Sequence, residues 1–368
     1  MYKTLPNINL LVSNCYSYLY LLSIMKNMSK MMKYIHFNKS NKKFEIRTTD
    51  IPPSNPDETL IKINATCINR LDILEKKGLY KTESPDDIMG VEFVGQKVDP
   101  VTLEIKEPDT YYGSIVKNGT YAEYVACKTD HLIKFDFGGS IADYAAVPEA
   151  FITAHQLTSY YSDISKDDIV YINAGASGVG SSLLQICKQV YNCKIVCSCS
   201  NDPYKIDLVT NLGADLIIDY KNETDEVIED KIMKFTDGKG VKCIFDCVGP
   251  SKSSLYEKIL AHDSTWVLYG LLGGKKADSP QVISTLLWKR AKIIGTTLRY
   301  RSDEYKSKLI SSFRDALLPY FVDGKLKPIV GNVIELDINS KEAGTKIEEA
   351  HNLMETNINR GRIVVTYK

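Results

Sequence analysis

Net charge is absent from this chain. Its 368 residues carry 46 lysines and arginines against 46 aspartates and glutamates, so no global field favours a polyanionic partner such as nucleic acid. A zinc signature is absent too: the nine cysteines contain no C-x2-C pair, the spacing that paired zinc ligands use. Most cysteines fall within apolar runs, as in Cys193, Cys197, Cys199, Cys243 and Cys247. Free core thiols in a reducing, cytoplasmic compartment are therefore expected. No run reaches the roughly 20 apolar residues a spanning helix needs. The nearest, Ile8–Met25, is interrupted by Asn9, Ser13, Asn14, Ser17 and Ser23, so no membrane partner is expected. Residues 1–31 hold no acid, no arginine and no small-residue cleavage pattern, which counts against a mitochondrial presequence or signal peptide. With further methionines at Met25, Met28, Met31 and Met32, this segment reads as a disordered extension or an unused upstream start. A signal anchor or an atypical organelle presequence is the minor alternative. Internal repeats and low-complexity linkers are absent as well.

What remains is a globular chain of two domains by length, with 44% hydrophobic residues to build their cores. Met32–Phe37, Glu58–Thr66 and Thr120–Ala126 alternate polar and apolar residues, the pattern of half-buried strands. Residues 143–161 turn helical. From Ile169 onward, apolar runs at 169–173, 194–198, 214–219, 241–247 and 265–270 alternate with stretches suited to helices, which indicates a parallel sheet. After about residue 290 the pattern is mixed again and ends in the apolar Arg362–Tyr367. The economical architecture is α/β: a β-rich domain from 32–144 and 291–368, with a dinucleotide-binding Rossmann domain inserted at 145–290.

The densest information lies at Ile169–Lys188. An apolar run ends in Gly175-Ala-Ser177-Gly178-Val179-Gly180, and a helix-like segment follows. Aligned to G-x-G-x-x-G the turn reads Gly175, Ser177, Gly180, with serine in the middle. Such a turn lets the backbone approach a pyrophosphate, and the helix end supplies free N–H groups and partial positive charge. An ordinary tight turn is the plainer alternative. A hydrolase nucleophile elbow is disfavoured because Val179, not glycine, stands two residues after Ser177. NAD-selective sites place an acid at the end of the second strand, and here that position is Cys199-Ser200. Asp202 stands just beyond but precedes Pro203, with Gly213 after the segment, so it reads as a helix N-cap. No carboxylate then opposes a 2′-phosphate, and Ser200 and Lys205 could bind one. For Lys205 a solvated helix position is the ordinary alternative.

Further motifs complete an ordered set: Asn69-Arg70-Leu-Asp72 with Lys77-Gly78-Leu-Tyr80; Met89-Gly90-Val91-Glu92-Phe93-Val-Gly95; Ala145–Ala154; Leu212-Gly213-Ala214-Asp215; Phe245-Asp246-Cys247-Val-Gly249; Trp266–Gly274; and Gly361-Arg362-Ile-Val-Val. From about Met32 to the C-terminus the chain resembles the medium-chain dehydrogenase/reductase superfamily, in its zinc-free quinone oxidoreductase, or zeta-crystallin-like, branch. The resemblance implies a GroES-like catalytic domain, a Rossmann domain, an active site in the cleft between them, NADPH as cofactor and a homodimer. Carried over by motif position, Ser200, Lys205 and Tyr220 match the 2′-phosphate contacts, and Ser177, Gly178, Val179, Gly270 and Leu271 line the rest of the cofactor. Zinc-dependent relatives hold a Cys-His pair where this chain has Asn69-Arg70, and Gly-His-Glu where it has Gly90-Val91-Glu92. No metal is expected, and Cys67 reads as a core residue. The segment Val94–Thr120 departs from the family and bears on acceptor shape.

Without zinc, the simplest chemistry is reduction of an electrophilic small molecule. A quinone fits, because its reduced oxygens can take protons from water, and Asn69 and Tyr80 are the candidate catalytic residues. Asn69 also begins an N-x-x-D pattern that could cap a helix, and Tyr80 follows a glycine turn where it could simply pack. An enoyl-thioester C=C reductase with Tyr80 as proton donor is the rival enzyme. An NADPH-gated sensor or RNA-binding protein is the rival of another class, for which Lys289-Arg290 with Lys292 offer the only local basic patch singled out.

Overall fold

The computed structural model describes residues 30–80, 85–114, 119–134 and 136–368. The extension expected over 1–31 lies outside them as far as residue 29, as do 115–118 of the segment that departs from the family.

The chain opens with a hairpin of β1 (Met31–Asn38) and β2 (Lys43–Asp50), paired antiparallel from Met31–Asp50 to Asn38–Lys43. A mixed seven-stranded sheet follows. It contains β3 (Glu58–Ile68), β4 (Glu92–Val98), β5 (Ile105–Ser114), β6 (Tyr124–Lys128) and β7 (Leu132–Lys134) from the first part of the chain. β14 (Val330–Leu336) and β15 (Arg362–Tyr367) come from its end. The two chain ends are thus locked together, because β15 lies antiparallel to β3 and parallel to β14. β3 was expected to alternate, yet from Thr59 onward nearly every residue is buried. It pairs with β4, β6 and β15, and the helices at Ile141–Ala145 and Ala343–Glu355 pack against it. A central strand covered on both faces loses its polar side.

Residues 169–295 form a six-stranded parallel sheet in the order β10-β9-β8-β11-β12-β13. Its strands are β8 (Ile169–Ile172), β9 (Lys194–Cys199), β10 (Leu216–Asp219), β11 (Val241–Asp246), β12 (Leu260–Leu268) and β13 (Lys292–Gly295). The order reverses between β8 and β11, and a doubly wound sheet binds ligands beyond the strand ends at such a reversal. The five expected runs all became strands. The sixth, β13, reads only Lys-Ile-Ile-Gly and is largely exposed. It carries the sheet past residue 290, where the sequence pattern had faded.

Helices complete both layers: α1 (Arg70–Lys76), α2 (Ile141–Ala145), α3 (Pro148–Tyr161), α4 (Gly178–Gln189), α5 (Pro203–Asn211), α6 (Asp225–Phe235), α7 (Ser253–Ile259), α8 (Val282–Lys289), α9 (Asp303–Val322) and α10 (Ala343–Glu355). One apolar cluster joins the two sheets. Ala65, Cys67 and Val94 of the mixed sheet meet Val170, Ile172 and Leu183 through Phe151, Phe313 and Phe321 of α3 and α9. The two sheets therefore share a core. Among the described residues no helix is long and apolar enough to cross a membrane.

Candidate functional site

The glycine turn sits at the carboxyl end of β8, beside the sheet reversal. Gly175 N donates to Ser198 O at 2.8 Å and Ala174 N to Ser198 Oγ at 3.1 Å, which ties the turn to β9. Ser177 is the N-cap of α4, its Oγ accepting from Gly180 N at 3.1 Å. The N–H groups of Gly178 and Val179, at the first two helical positions, have no intrahelical acceptor and point out of the helix end. Three glycines leave the room this needs. A Cβ on Gly175 would stand 2.0 Å from Cys197 Sγ, one on Gly180 2.2 Å from Ala174 O, and one on Gly178 2.8 Å from Arg362 Cδ. The first two clear the packing of helix on strand; the third lets Arg362 lie against the helix N-terminus.

The second wall of the crevice begins where β11 ends. Asp246, fully buried, accepts from Val248 N at 2.7 Å, Gly249 N at 3.1 Å, Trp266 Nε1 at 2.9 Å and Asn173 Nδ2 at 3.1 Å. One carboxylate thereby fixes the turns that follow β8 and β11. Gly270 packs against the second of these, since a Cβ there would stand 2.8 Å from Cys247 O, and Leu271 beside it is exposed.

At the far end, Asp202 caps α5 as the sequence implied: it accepts from Lys205 N at 3.2 Å and is followed by Pro203. Its other neighbour is Arg360, 3.6 Å away, whose guanidinium lies 4.9 Å from the centre of the Tyr204 ring. Lys205 Nζ donates to Asn357 O at 2.6 Å. Burial, and then the nearby charges of Lys221 and Arg360, hold its pKa below the ordinary lysine value, while Asp202 opposes them. Cations gathered closely enough to weaken one another suit an anion of higher charge than one carboxylate. Ser200 is buried at the end of this wall and Tyr220 is half exposed. The turn, the free N–H groups and this patch fit a phosphorylated dinucleotide.

On the acceptor side the side chain of Asn69 is engaged. Asn69 N donates to Asp72 Oδ2 at 2.7 Å, so the N-x-x-D pattern does start α1, through the main chain. The side-chain amide turns instead to Glu92, donating to its Oε1 at 2.7 Å, and accepts from Arg362 Nη1 at 2.9 Å. Glu92 also pairs with Arg362 Nη2 and accepts from Glu149 N, at the start of α3, at 2.9 Å. Glu92 is wholly buried and Arg362 is 6% exposed, with its Nε lacking a partner. A buried charge pair thus stands between α4 and α1, where metal-dependent relatives are expected to carry ligands. Tyr80 sits under different control. Its ring stacks on Tyr300 with centroids 5.5 Å apart, and Arg299 lies 5.0 Å from its centre. Burial and then Tyr300 push its pKa above the usual tyrosine value.

Cys67 is buried in β3, its Sγ 3.1 Å from Ala145 O. The described cysteines are all free and buried, and no set of three or more metal-ligating side chains converges among the described residues. Reading the sequence missed Arg362, Arg360 and Arg299 as site residues. Arg362 had a signal, an arginine inside a quoted motif; the others had none, because they reach the site from segments remote in the chain.

Known proteins resemble this chain in sequence and fold. Residues 178–313 match the family described as zinc-binding dehydrogenase. The chain is 26% identical over 331 residues to an NADPH-dependent alkenal/one oxidoreductase, chloroplastic, of Arabidopsis thaliana, covering 86% of this chain and 73% of the relative. It is 25% identical over 313 residues to a quinone oxidoreductase-like protein 2 homolog of Nematostella vectensis, covering 84% and 81%. The solved quinone oxidoreductase of Thermus thermophilus, described with its NADPH complex, superposes with a TM-score of 0.75 at 21% identity, over 91% of this chain and all of that one.

Proposed function

From the premise that the chain is a zinc-free medium-chain dehydrogenase/reductase of the quinone oxidoreductase-like kind, we propose that it uses NADPH to reduce a small electrophilic acceptor held between its two sheets, a quinone in the first instance. An NADPH-dependent alkenal/one oxidoreductase and a quinone oxidoreductase described with its NADPH complex are among the proteins it resembles; the acceptor is our reading. The observation that carries it is the pairing of a glycine-cleared helix N-terminus with the Lys205–Lys221–Arg360 patch, where Asp202 is spent on a helix cap and Asp219, at the end of β10, accepts from Lys221 N and Asn222 Nδ2.

In this reading Gly178 and Val179 hold the pyrophosphate through their N–H groups, with Ser177 beside them. Ser200, Lys205 and Tyr220 hold the 2′-phosphate. Gly270 and Leu271 border the nicotinamide. When bound, the cofactor supplies two electrons to the acceptor. The protein holds reactants together and excludes water. Arg362 adds positive charge beside the pyrophosphate, and Glu92 and Asn69 fix its orientation. Asn69 is then a positioning residue more than an acceptor contact, since its amide is already engaged. Tyr80 faces the acceptor and keeps its proton at neutral pH.

The likeness to an alkenal/one oxidoreductase favours a second reading, reduction of a conjugated C=C, which needs a proton donor where a quinone does not. The test is oxidation of NADPH and NADH without added metal, using 1,2-naphthoquinone, 2-hexenal and an enoyl thioester in parallel. NADPH-selective turnover of the quinone supports the first reading, and turnover of the alkenal or thioester alone moves the protein to the second. No turnover with NADPH still bound would make it a cofactor-gated binding protein. The reading also includes a homodimer, with localisation in the cytoplasm. β13 is a sheet edge, and α8 beside it exposes Ile283, Leu287 and Trp288, an apolar face that a second copy would cover. Equilibrium sedimentation at the mass of one chain would remove that part.

A further inference from the structure

Arg299 and Glu75 form an ion pair buried on both sides, with Nη1 of Arg299 2.5 Å from Oε1 of Glu75. Burying two charges is expensive, and a well-packed apolar pair would often hold a fold as well. The pair therefore asks for a reason beyond stability. Arg299 belongs to the connection between β13 and α9, and Glu75 to α1, so the pair ties the parallel-sheet side to the acceptor side. Arg299 is held at both ends, because its carbonyl accepts from the buried Lys306 Nζ at 2.6 Å. Its guanidinium, so fixed, faces the Tyr80 ring at 5.0 Å, while the next residue, Tyr300, stacks on that ring.

We propose that Arg299 is a positioning residue for Tyr80: anchored by Glu75, it sets the Tyr80 ring over the acceptor and offsets the negative charge that develops when the Tyr80 hydroxyl gives up its proton. The inference rests on the reading that Tyr80 faces the acceptor. It matters for acceptors that need a donor, namely alkenes conjugated to a carbonyl. There NADPH, when bound, would supply two electrons and one hydrogen to the β-carbon, which leaves the α-carbon to take a proton. The Tyr80 O–H bond breaks as the α-carbon C–H bond forms, and water returns the proton to Tyr80. A cation against the ring face is favourable toward the phenol and more so toward the phenolate. The other charged or titratable groups acting on Tyr80 are Tyr300 and Glu149, both of which oppose ionisation. Among the described residues, Arg299 favours it.

The test compares Tyr80→Phe, Arg299→Lys and the double variant Glu75→Gln/Arg299→Gln, which removes the pair without stranding a buried charge. Each is assayed with NADPH against 2-hexenal and 1,2-naphthoquinone at neutral pH, with thermal melting and fluorescence titration of NADPH as independent readouts. Loss of a general acid predicts a roughly 100-fold fall in kcat for Tyr80→Phe with hexenal, and a smaller one with the quinone. The double variant should melt cooperatively and bind NADPH as before. Its kcat with hexenal should fall roughly tenfold while its kcat with the quinone stays near wild type, a split between acceptors that a purely structural role does not produce. Arg299→Lys should restore part of the hexenal activity. If Tyr80→Phe is impaired with hexenal while both Arg299 variants keep the wild-type kcat with hexenal, Arg299 does not position Tyr80. If Tyr80→Phe turns hexenal over normally, the reading of Tyr80 itself fails, and the inference with it.

Discussion

The glycine turn and the Asn69–Glu92–Arg362 cluster are built on different principles. The turn uses backbone: a helix end and glycines whose missing Cβ atoms leave space. The residues of the turn are neighbours in sequence, and much of its chemistry is generic to peptide N–H groups. The cluster uses buried side-chain charge. Glu92, Asn69 and Arg362 meet there from β4, the start of α1 and β15, and Glu75 and Arg299 are more than 200 positions apart. A site made of main chain tolerates replacement of most side chains. A site made of paired charges fails when one member is lost.

Breaking that contrast should give its largest effect at Glu92. Glu92→Gln leaves the Arg362 guanidinium buried without its counter-ion, a loss of about 3–5 kcal/mol that urea unfolding would register. Replacing both partners by apolar residues of similar size should recover most of it, and equal losses in the single and double variants would place the cost in shape instead of charge.

Asp72 should give the next effect, and one that depends on pH. Burial, and then Glu75, push its pKa up to about 7. The folded chain therefore keeps a proton that the unfolded chain releases above about 4. This contribution to stability is full below pH 4 and is lost as pH rises through about 7, to the extent of roughly 2–4 kcal/mol. Asp72→Asn should match the wild type near pH 4, exceed it near pH 8, and flatten the slope between. Parallel slopes would mean that Asp72 stays ionised when folded.

The turn should show its weak point at a glycine. Gly180→Ala places a methyl group 2.2 Å from Ala174 O. Alanine's better helix propensity is outweighed by overpacking that costs about 1–3 kcal/mol. A lower melting temperature with weaker NADPH binding is expected, because the turn and the helix end would move together.

The smallest and most selective effect belongs to Lys205. Lys205→Ala should raise the Kd for NADPH roughly tenfold, about 1.4 kcal/mol, and leave NADH nearly unchanged, with Arg360→Ala acting in the same sense. Fluorescence titration with both cofactors checks this. Equal losses for NADPH and NADH would take Lys205 out of the 2′-phosphate site.

The same contrast explains what could be read beforehand. The Rossmann strands, the phosphate turn and the Asp202 cap were legible because each is decided within a dozen residues, by periodicity, turn chemistry and capping. The alternation expected of β3 failed because a central strand is buried on both faces, which depends on partners elsewhere. β13 escaped notice because four residues at a sheet edge carry too little pattern. Asn69 was legible as a helix start, but the engagement of its side chain depended on Glu92 and Arg362 arriving from 23 and 293 positions away.

The sequence by itself determined the doubly wound sheet, the family likeness and the glycine turn at the end of β8, because hydrophobic burial and backbone geometry act locally and leave periodic traces. Only the tertiary structure decided which charges meet. It put Arg362 against the helix end, Arg360 beside Asp202, and Arg299 between Glu75 and Tyr80. Coulomb and hydrogen-bond interactions act through space at a few ångströms, and separation along the chain does not measure that distance.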